Sequence, residues 1–219
     1  MNELQLYIFE QGLEELSLCE AEHQHLRTIG MTLAGHPKVL RSCYIAFLKG
    51  ESKCRYKPLI GAPLLFSFHY HQEEVEIERI ETAYRVSFSV FIRFFALVDL
   101  AFSKIYPLGT IVELDKELLP TELVEQFASE EMDFYAVLSG RRLQLDFQSY
   151  IDYAGHVYPY GMRFDTLPLY ISNLFIKRVI SEGYSDAKDS QHCDKELREF
   201  YFKGSVYSTI YDVEVANED

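Results

Sequence analysis

Two histidines separated by one residue, His69 and His71, have the spacing that a metal-binding pair on a β-strand would use. On a strand both rings point to one face, and Glu73 continues that face. Zinc sites are built from three or four protein ligands, and a third ligand is not evident from the sequence. We therefore expect surface histidines and no metal cofactor, and keep His69 and His71 only as a candidate pair.

A hydrolytic triad could be assembled from Asp152, His156 and either Ser139 or Ser149. The sequence lacks the Gly-x-Ser-x-Gly elbow of the α/β-hydrolases, and the segment does not have their strand–turn–helix pattern. It also has no P-loop and no dinucleotide fingerprint. These patterns favour a protein that is not an enzyme and has no cofactor. A hydrolytic enzyme is the less favoured alternative.

Tyrosines crowd the stretch from Tyr150 to Gly161, and another lies in the triplet Glu182-Gly183-Tyr184. Residues 150–154 alternate as a strand does, and Pro159 should end that strand near Tyr158. Tyrosine offers a large contact area at a low cost in side-chain entropy, so an aromatic surface that binds a protein is one interpretation. The other is that the tyrosines fill the core. The candidate contact residues are Tyr150, Asp152, Tyr153, Tyr158, Tyr160 and Tyr184.

The net charge is −13, from 21 basic and 34 acidic residues. Phosphate backbones and anionic lipids should repel such a chain, so a nucleic-acid partner is not expected. An acidic surface suits the binding of a basic protein, although acidity also serves solubility alone. The basic pairs Arg141-Arg142 and Lys177-Arg178 are interpreted as partners in internal ion pairs.

Cysteine usage and hydropathy predict a cytoplasmic protein. The cysteines have no Cys-x-x-Cys or zinc spacing, as is typical of reduced thiols. The N-terminus lacks the basic region of a signal peptide. The most apolar run, residues 86–102, contains Arg93 and Asp99, so we expect no stable insertion into a membrane. The four cysteines are Cys19, Cys43, Cys54 and Cys193.

In the first hundred residues, apolar spacing of three to four predicts a helix over 12–34, ended by Gly35 and Pro37. Residues 4–9 are interpreted as a short strand. The run 39–48 is apolar on both faces, as in an interior strand, and 50–57 reads as a loop. Strands are predicted at 64–70 and from Val75, and the clearest period-two alternation, over 84–95, predicts another. Residues 94–104 fit either an extension of that strand or a helix that packs beneath it. A helix followed by consecutive strands indicates an antiparallel α+β layer.

Tyr106-Pro107-Leu108-Gly109 is the best candidate for a domain boundary. Beyond it the pattern predicts strands at 110–114, 134–138, 143–147, 150–158, 167–171, 179–184 and 206–215. Helices are predicted at 120–127, 172–178 and 194–203, with a turn at 139–141, a mobile loop at 185–194 and a frayed end at 216–219. The predicted class is α+β: a helix with an antiparallel sheet (1–104), a compact β-rich module with a short helix (105–185), and a tail of helix and strand (186–219).

Five segments in the C-terminal half occur in the order of a known family pattern. They are Tyr106-Pro-Leu-Gly-Thr-Ile-Val-Glu-Leu114, Val137-Leu-Ser-Gly-Arg141, Tyr150-Ile-Asp-Tyr-Ala-Gly155, Tyr158-Pro-Tyr-Gly161 and Glu182-Gly-Tyr184. Residues 105–185 thereby resemble a family of small bacterial domains of unknown function encoded beside type VII secretion toxins of the Leu-x-Gly class. The resemblance departs at 115–133, where a predicted helix replaces a tight turn.

The resemblance implies a cytoplasmic accessory protein of a Gram-positive toxin locus, and it transfers no catalytic residue. Two roles fit. A chaperone or adaptor would hold a secreted toxin before export, whereas an immunity protein would neutralise the toxin in the producing cell. We expect non-catalytic binding of a secreted toxin, with the chaperone role favoured and immunity as the alternative. The toxin's identity, the binding surface and the oligomeric state stay open.

Overall fold

The computed structural model describes residues 1–58, 61–145, 148–162 and 167–212. The chain forms two compact units. The first comprises Met1–Ser103 together with the chain from Tyr211 onward, and the second comprises Lys104–Ile210. Helices and largely antiparallel sheets are combined in this fold, so the predicted α+β class is confirmed. The predicted division into three domains stays a prediction.

The first unit combines helices with a four-stranded antiparallel sheet of order β1-β2-β3-β4. Its elements are α1 (Glu3–Glu14), α2 (Glu20–Gly35), α3 (Pro37–Leu48), β1 (Lys53–Tyr56), β2 (Leu64–His69), β3 (Glu74–Arg79), β4 (Thr82–Ser87) and α4 (Phe88–Phe102). The strands at 64–70 and from Val75 were predicted correctly.

Helix α4 lies at the centre of the first unit, and most of its 15 residues are buried. Phe91 and Phe95 pack with ring centroids 4.3 Å apart, and Phe9 of α1 lies 5.1 Å from Phe102. Each fully buried phenylalanine contributes about 1.5–3 kcal/mol to folding. The many phenylalanines of the N-terminal half therefore form a hydrophobic core that packs around α4.

The N-terminal secondary structure was predicted only in part. The strand expected over 4–9 is wrong, because α1 begins at Glu3, where the Asn2 side chain accepts a hydrogen bond from Gln5 N at 2.9 Å and the Gln5 side chain accepts one from Asn2 N. The helix expected over 12–34 is two helices. The second begins after Cys19, whose backbone N–H donates to the Glu22 carboxylate at 2.9 Å.

The strand predicted over 39–48 is also wrong, because these residues form α3. Pro37 occupies the first turn of this helix, where its fixed φ is favourable. The buried residues Leu40, Cys43, Tyr44 and Phe47 follow helical spacing. The predicted loop 50–57 contains β1 instead of being irregular throughout.

The alternation over 84–95 predicts a strand correctly only as far as Ser87. The Ser87 hydroxyl accepts a hydrogen bond from Val90 N at 3.3 Å and caps α4. From Phe88 onward the chain is helical, so the second half of that predicted strand is wrong. Val86, the last buried residue of β4, pairs with Val75 of β3.

The second unit contains the segments of the resemblance. Its elements are β5 (Ile111–Leu114), α5 (Thr121–Ser129), β6 (Tyr135–Gln144), β7 (Ser149–Val157), β8 (Leu169–Ile171), β9 (Ile176–Ser181), α6 (Ala187–Asp194), α7 (Phe200–Lys203) and β10 (Tyr207–Ser208). The sheet has the order β10-β7-β6-β5-β9, and β8 also pairs with β7. Strand β10 runs parallel to β7, and the other pairs are antiparallel.

One hydrophobic core supports this second sheet. Its buried residues are Val112, Leu114, Ala136, Leu138, Tyr153, Ile171 and Ile176. Inside β6 the register shifts between Leu138 and Gly140, so the turn predicted at 139–141 is a bulge within a continuous strand. The bulge lets β6 bend while its pairing with β7 continues on either side.

The chain after β8 differs from the predicted secondary structure in three places. The helix expected over 172–178 is a single 3₁₀ turn, Asn173–Phe175, before β9. The loop expected over 185–194 is α6, capped by the Asp186 side chain, which accepts from Asp189 N at 2.9 Å. Of the strand expected over 206–215, the strand part is Tyr207–Ser208, Thr209–Tyr211 form a 3₁₀ turn instead, and 213–215 lie outside the described residues. The strand expected over 143–147 includes positions 146–147, which lie outside the described residues. The end that was expected to fray, 216–219, also lies outside them.

Within the part of the chain that the structure describes, no helix is both long enough and apolar enough to cross a lipid bilayer.

Candidate functional site

Two of the candidate tyrosines lie in the core of the second unit. Tyr150 and Tyr153 on β7 are 0% and 1% exposed. The Tyr150 ring packs on Tyr201 at 4.8 Å, and the Arg142 guanidinium lies 5.1 Å from its centroid. These side chains offer no surface to a partner in this conformation, which supports the core-filling interpretation for both.

Tyr153 anchors the start of the second unit. Its hydroxyl accepts a hydrogen bond from Tyr106 N at 3.0 Å and donates to the Lys104 carbonyl at 3.3 Å. Burial raises the pKa of the Tyr153 phenol well above its ordinary value. The phenol is therefore neutral, and its role here is to hold the chain that enters the sheet.

Asp152 is also buried, at 2% exposure. Its Oδ2 accepts hydrogen bonds from the backbone N–H of Asn173 at 3.0 Å and from the Ser208 hydroxyl at 2.9 Å. The carboxylate thus joins β7 to the turn after β8 and to β10. A partner could not reach this side chain, so its visible role is structural.

The other three candidate tyrosines are exposed. Tyr158, Tyr160 and Tyr184 have 42%, 55% and 83% of their surface accessible. Tyr158 and Tyr160 flank Pro159 in the turn that follows β7, and the Tyr158–Pro159 peptide is cis. The turn is closed by Gly161 N, which donates to the Val157 carbonyl at 2.9 Å. These three tyrosines remain candidates for partner contact.

Tyr160 lies at the edge of a groove of about 630 Å³ between α5 and the end of β7. One wall is formed by α5 and the residues after it, and Phe127 is its most buried side chain, at 1% exposure. The Phe127 ring stacks on Phe134 at 5.0 Å, which fixes its position. We call this feature the α5 groove. Its lining residues are Leu123, Gln126, Phe127, Glu130, Met132, His156, Val157, Tyr160, Gly161, Leu167, Pro168 and Leu169.

His156 contributes the polar group in the β7 wall of the α5 groove. The residue is only 8% exposed and pairs with Val137 of β6. Its Nδ1 atom is buried and has no hydrogen-bond partner among the residues that the structure describes. A buried polar atom without a partner costs about 1–3 kcal/mol, so this nitrogen is a polar group that the fold buries at a cost.

The α5 side of the groove is acidic. Residues 121–133 contain five acidic side chains and no lysine or arginine: Glu122, Glu125, Glu130, Glu131 and Asp133. Glu130 lines the groove itself. A ligand with basic groups beside an apolar segment would match this combination of walls and rim.

Sequence reasoning missed the α5 groove, although a signal was present. Leu123 and Phe127 are four residues apart on a short amphipathic helix, in the segment where the resemblance fails. That helix was predicted over 120–127, but no role was predicted for its apolar face. Only the structure shows that part of the face lines an open groove.

The residues of the imagined triad are not arranged for catalysis. Asp152 and His156 are four residues apart on β7, a separation of about 13 Å along a strand. The serine that bonds to Asp152 is Ser208, which was not among the candidates. Ser139 instead donates to the Ala154 carbonyl at 3.4 Å. A direct hydrogen bond between the proposed acid and base is excluded by this spacing.

The histidine pair lies at the end of β2 in the first unit. His69 is half-buried, and its Nε2 lies 3.9 Å from a Glu76 carboxylate oxygen, whereas His71 is exposed in the following turn. Within the described residues there is no cluster of three or more His, Cys, Asp or Glu side chains that could hold a metal ion. His69 therefore contacts a residue of the neighbouring strand β3, and His71 lies in the turn after β2.

Three of the four residues in the two basic pairs form the internal ion pairs that were predicted, and Arg142 Nη1 donates to the Leu197 carbonyl. Arg141 Nη1 lies 2.8 Å from Asp189 Oδ1, with both side chains largely buried. Lys177 and Arg178 on β9 both pair with Glu113 on β5. These two cations lower the pKa of the Glu113 carboxyl. Basic charge in the second unit is thus used to join its elements.

Close backbone packing requires glycine at two positions in the segments that carry the family resemblance. A Cβ atom at Gly183 would lie 2.1 Å from the Leu108 carbonyl oxygen, and one at Gly155 would lie 2.8 Å from the Val137 oxygen. Gly183 N also donates to the Thr110 hydroxyl at 3.1 Å. The Pro-x-Gly-Thr and Glu-Gly-Tyr segments therefore meet in space, and their shared role is structural.

Comparison with known proteins finds one family model that matches part of the chain. Residues 105–192 match the model of a family described as a domain of unknown function, DUF4176. The match covers all of the segments that suggested a family. No curated protein and no solved structure matches the chain.

Proposed function

We propose that this chain is a non-catalytic accessory protein that binds a toxin exported by type VII secretion, as its chaperone or adaptor. The α5 groove is the contact site in this proposal. The observation that carries it is a groove with an exposed tyrosine at its edge, a buried phenylalanine in one wall and a glutamate among its lining residues. Those features suit recognition of one short segment of another polypeptide.

The composition of the groove favours a protein ligand. Tyrosine and other aromatic side chains dominate the energetics of protein interfaces because they bury a large area with few rotatable bonds. Tyr160 and Leu167 are exposed at the rim, and Phe127 lies behind them in the wall. A partner's apolar side chain could pack against Phe127 while Tyr160 covers it.

The charge around the groove suggests what surrounds that apolar side chain. Glu130 and its acidic neighbours on α5 would attract a segment carrying lysine or arginine. The proposed ligand is therefore an apolar residue flanked by basic residues in the toxin chain.

The choice of a secreted toxin rests on the ordered resemblance of residues 105–185 to domains encoded beside such toxins. A protein of this kind would act in the cytoplasm, before export. It would cover an exposed segment of the toxin and release it to the secretion machinery. Immunity is the alternative role, in which the segment bound belongs to the toxin's active domain.

The direct test is co-purification of this chain with a toxin encoded beside its gene. Calorimetry on the purified pair would then compare Tyr160→Ala with Tyr7→Ala. Tyr7 is the matched control, because it is equally exposed at 55% but lies in the first unit. We expect Tyr160→Ala to weaken Kd about tenfold or more, as for an interface residue worth at least 1.4 kcal/mol. Equal affinities for the two variants would exclude the groove as the site.

A second pair of variants tests the charge. Glu130→Lys should weaken binding and reduce its dependence on salt, whereas Glu81→Lys, in an exposed turn of the first unit, should leave both unchanged. Rescue of cells from the toxin's active domain by co-expression would assign immunity. Loss of toxin export in a deletion strain, without such rescue, would assign the chaperone role. Failure of every neighbouring toxin to bind would reject the proposal as a whole.

A further inference from the structure

The basic residues of the first unit are concentrated in one segment. Residues 38–57 contain six of the 21 basic residues in the chain and one of the 34 acidic residues. The formal charge of this segment is therefore +5, in a chain whose net charge is −13. The basic residues are Lys38, Arg41, Lys49, Lys53, Arg55 and Lys57, and the acidic residue is Glu51. Since 38–48 belong to α3 and Lys53–Tyr56 form β1, the charge lies on two neighbouring elements.

Three of these cations lie at the end of the segment, on β1 or directly after it. Lys53, Arg55 and Lys57 are exposed, and the first two share one face of the strand because they are two residues apart. Within the described residues none of the three forms an ion pair. Arg85 on β4 differs, since its Nε lies 3.1 Å from a Glu76 carboxylate oxygen. We call Lys53, Arg55 and Lys57 the β1 cations, and their charge remains available to a partner.

Strand β1 is at the edge of its sheet, since it pairs with β2 alone in the order of the four described strands. Phe68 N donates to the Ser52 carbonyl at 2.9 Å, in the same register as the β1–β2 pairing. Facing residues of antiparallel strands alternate between hydrogen-bonded and non-hydrogen-bonded pairs, so the backbone groups of Cys54 also face β2. The N–H and C=O groups of Lys53 and Arg55 therefore point away from β2, to the outer edge of the sheet. Two of the β1 cations thus also offer main-chain hydrogen bonds.

Helix α3 extends the positive charge beyond the strand. The helix packs against β1, and the His36 ring before it lies 5.2 Å from the Tyr56 ring, so the start of α3 is next to the end of β1. Lys38 in the first turn of α3 is exposed, and so is Lys49 in the turn that leads to β1. A single charge is enough to deter other strands from a sheet edge, and this segment carries several.

The acidic remainder of the sheet limits the kind of ligand that fits this edge. Glu76 and Glu78 on β3 are in register with Lys53 and Arg55, across the single strand β2. Neighbouring strands are about 4.8 Å apart, so β3 lies about 10 Å from β1. A nucleic-acid duplex or an anionic membrane is wider than this distance and would meet the carboxylates as well as the cations. A single extended acidic segment that lies along β1 is narrow enough to meet the cations alone.

We propose that the outer edge of β1 binds an extended acidic segment of another protein as an added strand, with acidic residues at every second position. The added strand exchanges backbone hydrogen bonds with Lys53 and Arg55. Its acidic side chains lie opposite the cations on the same face, where Cβ atoms of facing residues are about 4.5–5.5 Å apart. Strand β3 of this chain has the same alternation but is paired on both sides, so a folded second copy cannot present it. The proposal is independent of the toxin partner and of the α5 groove.

The test measures binding of short fluorescein-labelled peptides to the full-length protein by fluorescence anisotropy. One peptide has glutamate at every second position, separated by threonine and valine. The second has glutamine in place of each glutamate, and the third has the composition of the first with its glutamates grouped at one end. We expect the alternating peptide to bind most tightly, the glutamine peptide to bind about tenfold more weakly or worse, and added salt to weaken the alternating peptide because exposed charges are screened.

Variants of one residue separate the charge from the backbone. Arg55→Gln should weaken Kd about twofold to fivefold, because one exposed ion pair is lost. Arg55→Pro also removes the outward N–H and should weaken Kd by a further factor of about two to ten, as for one backbone hydrogen bond. Proline is tolerated where the N–H faces away from the sheet, and circular dichroism verifies that this variant is folded. Lys188→Gln removes an exposed lysine of the second unit and is the matched control, with unchanged binding.

A modified peptide tests the same hydrogen bonds from the side of the ligand. In the proposed register the glutamate N–H groups of the alternating peptide donate to the carbonyls of Lys53 and Arg55. Methylation of these nitrogen atoms should therefore weaken Kd at least as much as Arg55→Pro does. This measurement uses the unchanged protein, so it decides the question even where Arg55→Pro does not fold.

Four results would overturn the proposal. Equal binding of the grouped and alternating peptides would show attraction by charge without strand addition. Binding of duplex DNA or of phosphatidylserine vesicles, with no binding of the peptides, would assign a different class of ligand. Self-association of the chain that Arg55→Pro abolishes, again without peptide binding, would assign a second copy. No binding of any ligand at about 1 mM would leave the cations only the role of deterring other strands.

Discussion

Replacing Gly183 with alanine is expected to destabilise the second unit strongly, although residue 183 lies outside its core. A Cβ atom at this position would sit 2.1 Å from the carbonyl oxygen of Leu108 and 3.0 Å from its carbonyl carbon. Both are backbone atoms, so no side-chain rotation can relieve the contact. The turn at Leu108 or the chain after β9 must move by about 1 Å.

The magnitude follows from two contributions. Overpacking of this kind costs about 1–3 kcal/mol. The movement also breaks the hydrogen bond from Gly183 N to the Thr110 hydroxyl, now 3.1 Å, which contributes about 0.5–1.5 kcal/mol. We therefore expect a loss of about 2–4 kcal/mol from a total that for most domains is about 5–15 kcal/mol.

Urea denaturation followed by circular dichroism measures this loss, and hydrogen exchange followed by mass spectrometry locates it. Exchange should rise in the second unit and stay unchanged in the first. Gly35→Ala is the matched control, because a Cβ there would meet no atom within 4 Å, and alanine favours the end of α2. If Gly183→Ala were as stable as Gly35→Ala, the packing explanation of the Glu-Gly-Tyr segment would be refuted.

Three further substitutions test the buried polar groups. Tyr153→Phe removes the acceptor of Tyr106 N and should cost about 1–3 kcal/mol in urea denaturation. Asp152→Ala leaves the backbone N–H of Asn173 without its acceptor and should cost at least as much, because the lost bond is charge-assisted. Burial lowers the pKa of His25 from its ordinary value of 6.5, so protonation favours the unfolded chain, and stability present above pH 6.5 should fall as the pH drops below it. His25→Gln should flatten that pH dependence, and an unchanged slope would assign it to other groups.

The α+β class could be predicted because the period of the apolar residues is clear in several strands. Residues 64–69 alternate as a half-buried strand does, and they form β2 as expected. The prediction of β7 over 150–158 was equally close, since Pro159 marks its end. In both strands a turn or a proline at the end of the alternation indicates the limit as well as the type of the element.

Two elements with few polar residues were misassigned. Residues 39–48 and 88–95 each contain only two polar residues, so the apolar positions fit a strand as well as a helix. The deciding signals were local: Pro37 at the first turn of α3 and Ser87 as the cap of α4. Capping residues outweigh periodicity where few positions are polar.

The candidate contact residues fall into a buried group and an exposed group. The sequence could not show to which group each residue belongs. Tyrosine is equally suited to a core and to an interface, because it has an apolar ring and a polar end. Tyr150 and Tyr153 are core residues, and Tyr158 and Tyr160 are exposed just beyond the end of the same strand. The α5 groove was missed for a related reason, since its walls come from residues that are distant in sequence.

The parallel pairing of β10 with β7 has a consequence for anyone who expresses the second unit alone. The family match stops at residue 192, but Tyr207 and Ser208 pair with Ser149 and Tyr150 at one margin of the sheet. A fragment trimmed to the matched residues would leave that margin unpaired and would uncover an aromatic ring. Bare strand margins recruit other chains, so the trimmed fragment should self-associate, whereas one continued to residue 210 should stay monodisperse. The fragment that we expect to be monodisperse therefore ends later in the chain than the segment that the family model matches.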